Sequence, residues 1–244
     1  MAKFTKVGYH ISSRIGKAIG DYDMIQGGDK ILVGVSGGKD SLTLLKLLVE
    51  RKSWAPVKFE VFAGVVESDF ACNAPAHNKA LKKMFKTLGV KHKFKKIKIL
   101  DENNQTSCFW CAWTRKKTLF KIAGTLGCNK VALVHHKDDI IETTLLNLFF
   151  QGALTSMNPK QEFFGGKLTT IRPLCYVEEK MMVLYAKENN FPLSLRKRPC
   201  TGDNNRKYIK KLIKDLEKRS PSVKTNLFKS VSRIKQEGLS QKPV

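Results

Sequence analysis

The chain has 244 residues, 42% of them hydrophobic, with 45 basic against 21 acidic side chains and a net charge of +24. That length can bury a substantial core and suits one α/β domain with terminal additions. No run approaches the roughly 18 apolar residues needed to cross a membrane, and the first twenty lack a continuous apolar stretch, so a cytoplasmic protein with no membrane partner is expected. The excess positive charge is spread along the chain. It favours a polyanion such as nucleic acid, against the blander reading that lysine solvates every face.

The first 29 residues read as an amphipathic helix with Ile11, Ile15, Ala18 and Ile19 on one face, followed by a turn at QGGD. Apolar strand-like runs follow at 30–36, 57–66, 91–100 and 130–136, separated by helical patterns near 39–52, 75–88 and 109–126. Strands alternating with helices predict an α/β fold, a Rossmann-like parallel sheet with helices on both faces. Ligands then belong at the carboxyl ends of the strands. A helix from about Lys137 ends by Gly152, and GG at 165–166 between apolar flanks suggests a hairpin or an extended excursion. VEEKMMVLYAKENN reads as another helix. The tail carries a basic helix with Asp203 as N-cap and Tyr208, Ile209, Leu212, Ile213 and Leu216 on one face. Three segments result: a helical 1–29, a nucleotide-type domain at 30–199, and a basic helical tail at 200–244.

Polar clusters fall after three of the strands. After the first, Ser36, Gly37, Gly38, Lys39, Asp40 and Ser41 form SGGKDS, running straight into a helix. A bare turn would explain Gly-Gly alone. A strand end, two glycines and a helix start together make backbone N–H groups converge on an anion, and phosphate is the natural guest. Lys39 adds positive charge, Ser36 and Ser41 add hydroxyl donors, and Asp40 can hold a magnesium ion on the phosphates. The Walker pattern fails, because Val33 occupies its first glycine position and Asp40 follows the lysine. Glu67 lies in VESD after the second strand. His135, His136, Asp138 and Asp139 lie in HHKDD after the fourth, where the aspartates also suit a helix N-terminus.

Six cysteines are too sparse for a disulfide scaffold, so clustered ones bind metal or react. Cys72, Cys128 and Cys175 read as isolated buried thiols. Cys108 and Cys111 form a C-x-x-C at a helix start, and Cys200 stands alone before the basic tail. A redox pair, half a zinc site and part of an iron–sulfur site fit this pattern equally. Trp110 and Trp113 beside the pair suit either core packing, the commoner fate of a helix tryptophan, or nucleobase stacking.

SGGKDS resembles the signature of the PP-loop ATP pyrophosphatases. Within that superfamily GKAIGDYDMI, CFWC, ALVHHKDDIIETTLLNLFFQGAL and IRPLCYVEEKMMVLYAKENNFPL resemble the tRNA 2-thiocytidine synthetases, from about residue 14 to 200. The resemblance implies an ATP- and magnesium-dependent enzyme that adenylates the C2 oxygen of cytidine 32 in tRNA. Sulfur delivered through a [4Fe-4S] cluster then replaces that oxygen, leaving AMP and pyrophosphate. It implies Ser36 to Ser41 as the pyrophosphate and magnesium site, with Glu67, His135 and His136 at the nucleotide. It further implies Lys39, Asp40, Asp138, Asp139, Cys108 and Cys111 as the catalytic set, and Cys108, Cys111 and Cys200 as cluster ligands. Two departures stand out: Glu67 replaces the aspartate common there, and a single cysteine in RKRPCTGD replaces a second C-x-x-C. The implied partners are tRNA, gripped by the basic tail and RKR, and a sulfur donor such as a cysteine desulfurase or free sulfide. An exposed apolar face could build a homodimer.

Other readings keep part of this chemistry. A 2-thiouridine synthetase usually carries extra zinc-binding cysteine pairs, and a lysidine synthetase would have no use for three cysteines. A non-catalytic, basic nucleic-acid-binding protein would not need an intact Lys39, Asp40 and HHKDD.

Overall fold

The computed structural model describes residues 5–69, 75–103, 105–193, 204–230 and 233. In chain order the elements are α1 (Lys6–Asp21), β1 (Lys30–Val35), α2 (Lys39–Arg51), β2 (Glu60–Ser68), α3 (Pro75–Thr87), β3 (Lys91–Ile97) and α4 (Cys108–Thr125). There follow β4 (Lys130–Ala132), α5 (Lys137–Gln151), β5 (Lys160–Phe163), β6 (Leu168–Ile171), α6 (Glu179–Glu188), α7 (Asn204–Arg219) and α8 (Val223–Ser230). Cys72, Cys200, Asp203 and the RKR at 196–198 lie outside the described residues.

The strands form one sheet in the order β3-β2-β1-β4-β6-β5. Every neighbouring pair is parallel except β5 and β6, whose hairpin turns at Gly165 and Gly166, both with positive φ. The expected α/β architecture is therefore present, and GG does mark a hairpin. β1 is buried on both faces, as a central parallel strand must be. Leu32 joins Phe62, Val131, Ile122 and Ala123 in a core beneath α4. Ile31, Val33 and Val35 alternate to the opposite face and are buried as well. At the amino ends of β1 and β4 the buried Asp29 accepts from Asn129 Nδ2 at 2.7 Å and from the Gln26 amide at 2.8 Å, and pairs with Lys130 at 3.6 Å.

Two expectations shift at strand ends. β4 stops at Ala132, because Leu133 makes one further bond to Ile171 at the last residue of β6, beyond which that ladder has no partner. His135 and His136 thus lie on the loop after the strand. β2 runs to Ser68, so Glu67 is inside the strand, opposite Lys96.

The described residues form two compact units. The first holds all six strands with α1 to α4 and α6. In the second, Ile141 and Leu145 of α5 pack with Ile209 and Ile213 of the basic helix α7. That is the apolar face expected for the tail helix, although Tyr208 is exposed.

Gly34 and Gly64 are paired in register on β1 and β2, under the same side chain of α4. A Cβ on Gly34 would stand 3.0 Å from Leu119, and one on Gly64 would stand 3.2 Å from both Leu119 and Leu32. The glycine pair is a notch that lets α4 lie close on the sheet. Gly64→Val is expected to destabilise the protein by about 1–3 kcal/mol through overpacking, lowering Tm by roughly 2–4 °C per kcal/mol for a chain of this size. Gly20→Ala, where a Cβ meets nothing within 4 Å, should leave Tm unchanged or raise it. Equal effects from the two substitutions in a thermal melt would dismiss the notch.

Candidate functional site

β1 lies at the point where the sheet's connections change direction, with β2 on one side and β4 on the other. An open α/β sheet has its crevice at the carboxyl ends there, and the SGGKDS loop is at that end. Gly37 takes φ +78, a left-handed conformation that a Cβ would strain. Gly38 is the extended N-cap of α2. Ser41 Oγ accepts from the Ser36 amide at 3.2 Å and donates to the Gly38 carbonyl at 2.9 Å, bracing the loop across its mouth. The first amides of α2 have no intrahelical acceptor, and with the helix dipole they form an anion-receptive end.

Lys39 Nζ lies 2.8 Å from Glu179 at the start of α6 and 3.2 Å from Asp40 Oδ1. Burial pulls the ammonium's pKa down, but the Glu179 hydrogen bond and the two carboxylate charges outweigh it, so Lys39 is held protonated above its ordinary value. Asp40 responds the other way. Burial raises its carboxyl above the ordinary range, the charges of Lys39 and His136 offset only part of this, and the nearby negative charge of Glu179 adds to the rise. Asp40 Oδ1, although in ion-pair range of Lys39, has no aligned hydrogen-bond donor. A buried carboxylate oxygen in that condition fits a cation arriving with the phosphates.

More incomplete polar groups gather at the end of β2. Asn78 of α3 donates from Nδ2 to the buried Glu67 at 2.5 Å, which leaves its own Oδ1 buried without a partner. Arg115 of α4 donates from one terminal nitrogen to Ser68 Oγ at 3.2 Å, while its Nε is buried without an acceptor. His77 Nε2 sits against Gly37, buried and without a partner, and burial lowers this imidazole's pKa, favouring the neutral ring. Each such atom costs about 1–3 kcal/mol if it stays unsatisfied. These three, with Asp40 Oδ1 at the end of the neighbouring β1, are what a polar ligand would repair.

His136 is buried, and His135 Nδ1 lies 3.2 Å from Nε of the buried Arg172, which follows β6 in IRPL. Asp138 and Asp139, in the second unit, enter ion pairs. Asp138 meets Lys224 of α8 at 2.9 Å, and Asp139 meets Arg206 of α7 at 2.9 Å, the same guanidinium that holds the buried Glu142. Burial pulls Lys224 down, yet its bonds to Asp138 and Glu217 leave its pKa raised.

Cys108 opens α4 and Cys111 lies one turn on, behind the Ser107 cap that accepts from the Trp110 amide at 3.0 Å. Trp110 and Trp113 are 48% and 44% exposed, so they are not core residues. Cys128 and Cys175 are buried as expected, and burial raises their thiols to about 11 and about 12, leaving them inert. Among the described residues no group of three metal-ligating side chains forms. The residues that the sequence reading missed are His77, Asn78, Arg115, Arg172 and Glu179. Only Arg172 and Glu179, both within IRPLCYVEEKMMVLYAKENNFPL, stood in a stretch already singled out.

The raised pKa of Asp40 sets the sign of a pH effect. Its ionised form is disfavoured in the folded state, so the destabilisation is present above the folded pKa and vanishes as pH falls below the ordinary 3.8. Asp40→Asn is expected to raise Tm at pH 7 and to lose that advantage as pH falls through this window. A variant less stable than the parent at pH 7 would contradict the assignment.

Residues 8–194 match the model of a PP-loop domain. A tRNA-cytidine(32) 2-sulfurtransferase from Geobacter sulfurreducens is 37% identical, covering 92% of this chain and 89% of its own length. Another from Citrifermentans bemidjiense is 38% identical, covering 99% and 97%. Among solved structures, the U34-tRNA thiolase NcsA from Methanococcus maripaludis with its [4Fe-4S] cluster shares the fold, with a TM-score of 0.78 at 22% identity over 97% of this chain and 81% of that one. The loop at the sheet's switch point and the likeness along nearly the whole chain lead to one conclusion: this chain belongs to the PP-loop family and, within it, to the tRNA-cytidine(32) 2-sulfurtransferases.

Proposed function

We propose that this protein thiolates cytidine 32 of tRNA at C2, using ATP. The observation that carries the reading is its identity to relatives of that activity over 92% of the chain or more. In the first half-reaction the cytidine C2 oxygen attacks the α-phosphorus of ATP, the bond to the bridging oxygen breaks, and pyrophosphate leaves. In the second, sulfur adds at C2 and the C2–O bond breaks, so AMP departs carrying the original oxygen. Adenylation is needed because a pyrimidine carbonyl oxygen is otherwise a poor leaving group.

The chain's own residues divide this work. The amides at the start of α2, with Ser36 and Ser41, cradle the pyrophosphate end of ATP. Lys39 exchanges Glu179 for the phosphates and stabilises the charge that develops on the leaving group. Asp40 Oδ1 takes magnesium. His77, neutral and facing the loop, donates to a phosphate oxygen, while Glu67, Asn78 and the His135–Arg172 pair border the nucleotide and target base. Asp138 and Asp139 stay in the proposed set as carboxylates whose charge Lys224 and Arg206 now balance.

For a [4Fe-4S] cluster, thiols three apart in the first turn of α4 fit two ligand positions, and the helix's positive end suits an anionic group. Cys200 is the proposed third. When bound, the cluster supplies sulfur as a nucleophile deprotonated at neutral pH. The tail from residue 200 and the RKR segment are the proposed tRNA grip, a cysteine desulfurase or free sulfide the donor, and the cytoplasm the compartment. No described helix is long and apolar enough to cross a membrane.

Anaerobic incubation of reconstituted protein with ATP, magnesium, sulfide and unmodified tRNA, followed by nucleoside mass spectrometry, should give ATP-dependent 2-thiocytidine. Detection of 2-thiouridine alone would overturn the substrate. Cys200→Ala should lose bound iron and thiolation together, and a full iron and sulfide complement in that variant would refute the ligand assignment. His77→Ala should raise the KM for ATP several-fold while altering kcat less, and an unchanged KM would remove His77 from the phosphate site.

A further inference from the structure

The two faces of β3 have different fates. His92 and Phe94 turn towards α3, where both rings lie near Phe85, at 5.1 and 6.2 Å between centroids. Lys93, Lys95 and Ile97, the alternate residues, turn the other way and form one wall of an open cavity of about 480 Å³. Its other wall is the stripe of α4 that carries Trp110, Trp113, Lys117 and Lys121. Together with Lys98, five lysines line the groove, and none of its lining residues is acidic. Such a volume falls within the roughly 300–1,000 Å³ of clefts that hold small ligands, enough for a nucleotide.

The aromatic wall is already arranged for stacking. Trp110 and Trp113 lie nearly parallel, 5.1 Å between centroids and 20° between planes, and Lys117 Nζ is 4.7 Å from the Trp113 ring. Both indoles are nearly half exposed, which leaves aromatic surface free at the groove. Rings beside a cationic channel are how proteins hold single-stranded nucleic acid, with bases on the rings and phosphates on the lysines. A duplex offers no free base face to such a platform.

We propose that the groove between β3 and α4 binds an unpaired tRNA segment, Trp110, backed by Trp113, stacking a base while Lys93, Lys95, Lys98, Lys117 and Lys121 contact phosphates. This rests on the tRNA reading above and adds a binding site separate from the basic tail. Trp110 lies between Cys108 and Cys111 in sequence, so a strand in the groove passes the helical turn proposed to hold the cluster. Position 32, in the anticodon loop, is an unpaired nucleotide of the kind this groove fits.

The test uses the full chain with labelled tRNA, an anticodon stem-loop and a blunt RNA duplex, measuring Kd across salt concentrations. The triple variant Lys93→Ala, Lys95→Ala, Lys121→Ala, in which Lys95 and Lys121 are exposed and Lys93 is half-buried, should reduce the slope of log K against log salt for tRNA and stem-loop by about 2, at about 0.7 per lost single-strand contact. Trp110→Ala should weaken stem-loop binding by on the order of tenfold and leave duplex binding unchanged. Trp113→Phe, which keeps a ring, should retain most of the affinity. Wild-type affinity and salt slope in the triple variant would overturn the groove, as would equal losses for duplex and stem-loop in Trp110→Ala. The two readings fail separately: parental protein that makes 2-thiocytidine while these variants bind normally rejects the groove alone, whereas parental protein that binds no tRNA rejects both.

Discussion

The parallel pairing of β1 with strands on both sides is the constraint from which the site follows. A strand with two parallel neighbours is reached only through crossover connections, and helices must cover its faces, so its residues are apolar in both directions. Its carboxyl end is then the one place where backbone can emerge between connections running opposite ways. SGGKDS occupies that place. Gly37 supplies the left-handed turn, Gly38 begins the helix, and the same chain reversal that completes the fold exposes the amides proposed to hold a phosphate.

The electrostatics at this end are tuned away from stability. Asp40 is a carboxylate whose burial outweighs its lysine, and that lysine is divided between two acids. His77, Asn78 and Arg115 each carry a buried atom that the protein does not satisfy. At the opposite end of the sheet, Asp29 is more deeply buried than Asp40 yet fully engaged by Asn129, Lys130 and a backbone amide. One end thus shows what a structural buried carboxylate looks like, and the other what remains when partners are left for a ligand.

Local pattern made the fold legible. Alternating apolar runs located the four leading parallel strands, and Gly165–Gly166 marked the hairpin, because each signal resides in consecutive residues. The insertion of β6 beside β4 was not legible, since pairing between distant segments leaves no local mark. The same limit governs the site. SGGKDS and HHKDD could be read directly, but Glu179 reaches Lys39 across 140 residues, and Arg172 reaches His135 across 37. Nothing in VEEKMM signals that its second glutamate holds the loop lysine. Asp138 and Asp139 were visible as acids at a helix start, while their partners Lys224 and Arg206 were indistinguishable from the other bases of a tail with many.

The lysines of β3 have a competing explanation. β3 is an edge strand, and lysine on an edge deters pairing with another chain. That account covers Lys91 and Lys96 as well as Lys93 and Lys95, and it is indifferent to which face they occupy. It does not account for lysines on the facing stripe of α4, which is not an edge. Nor does it account for two stacked indoles left open to water beside them, since solubility alone would place polar residues there. Charge on both walls with aromatic surface between them is explained by a ligand that is anionic along its length and flat at intervals, and a single strand of RNA has both properties.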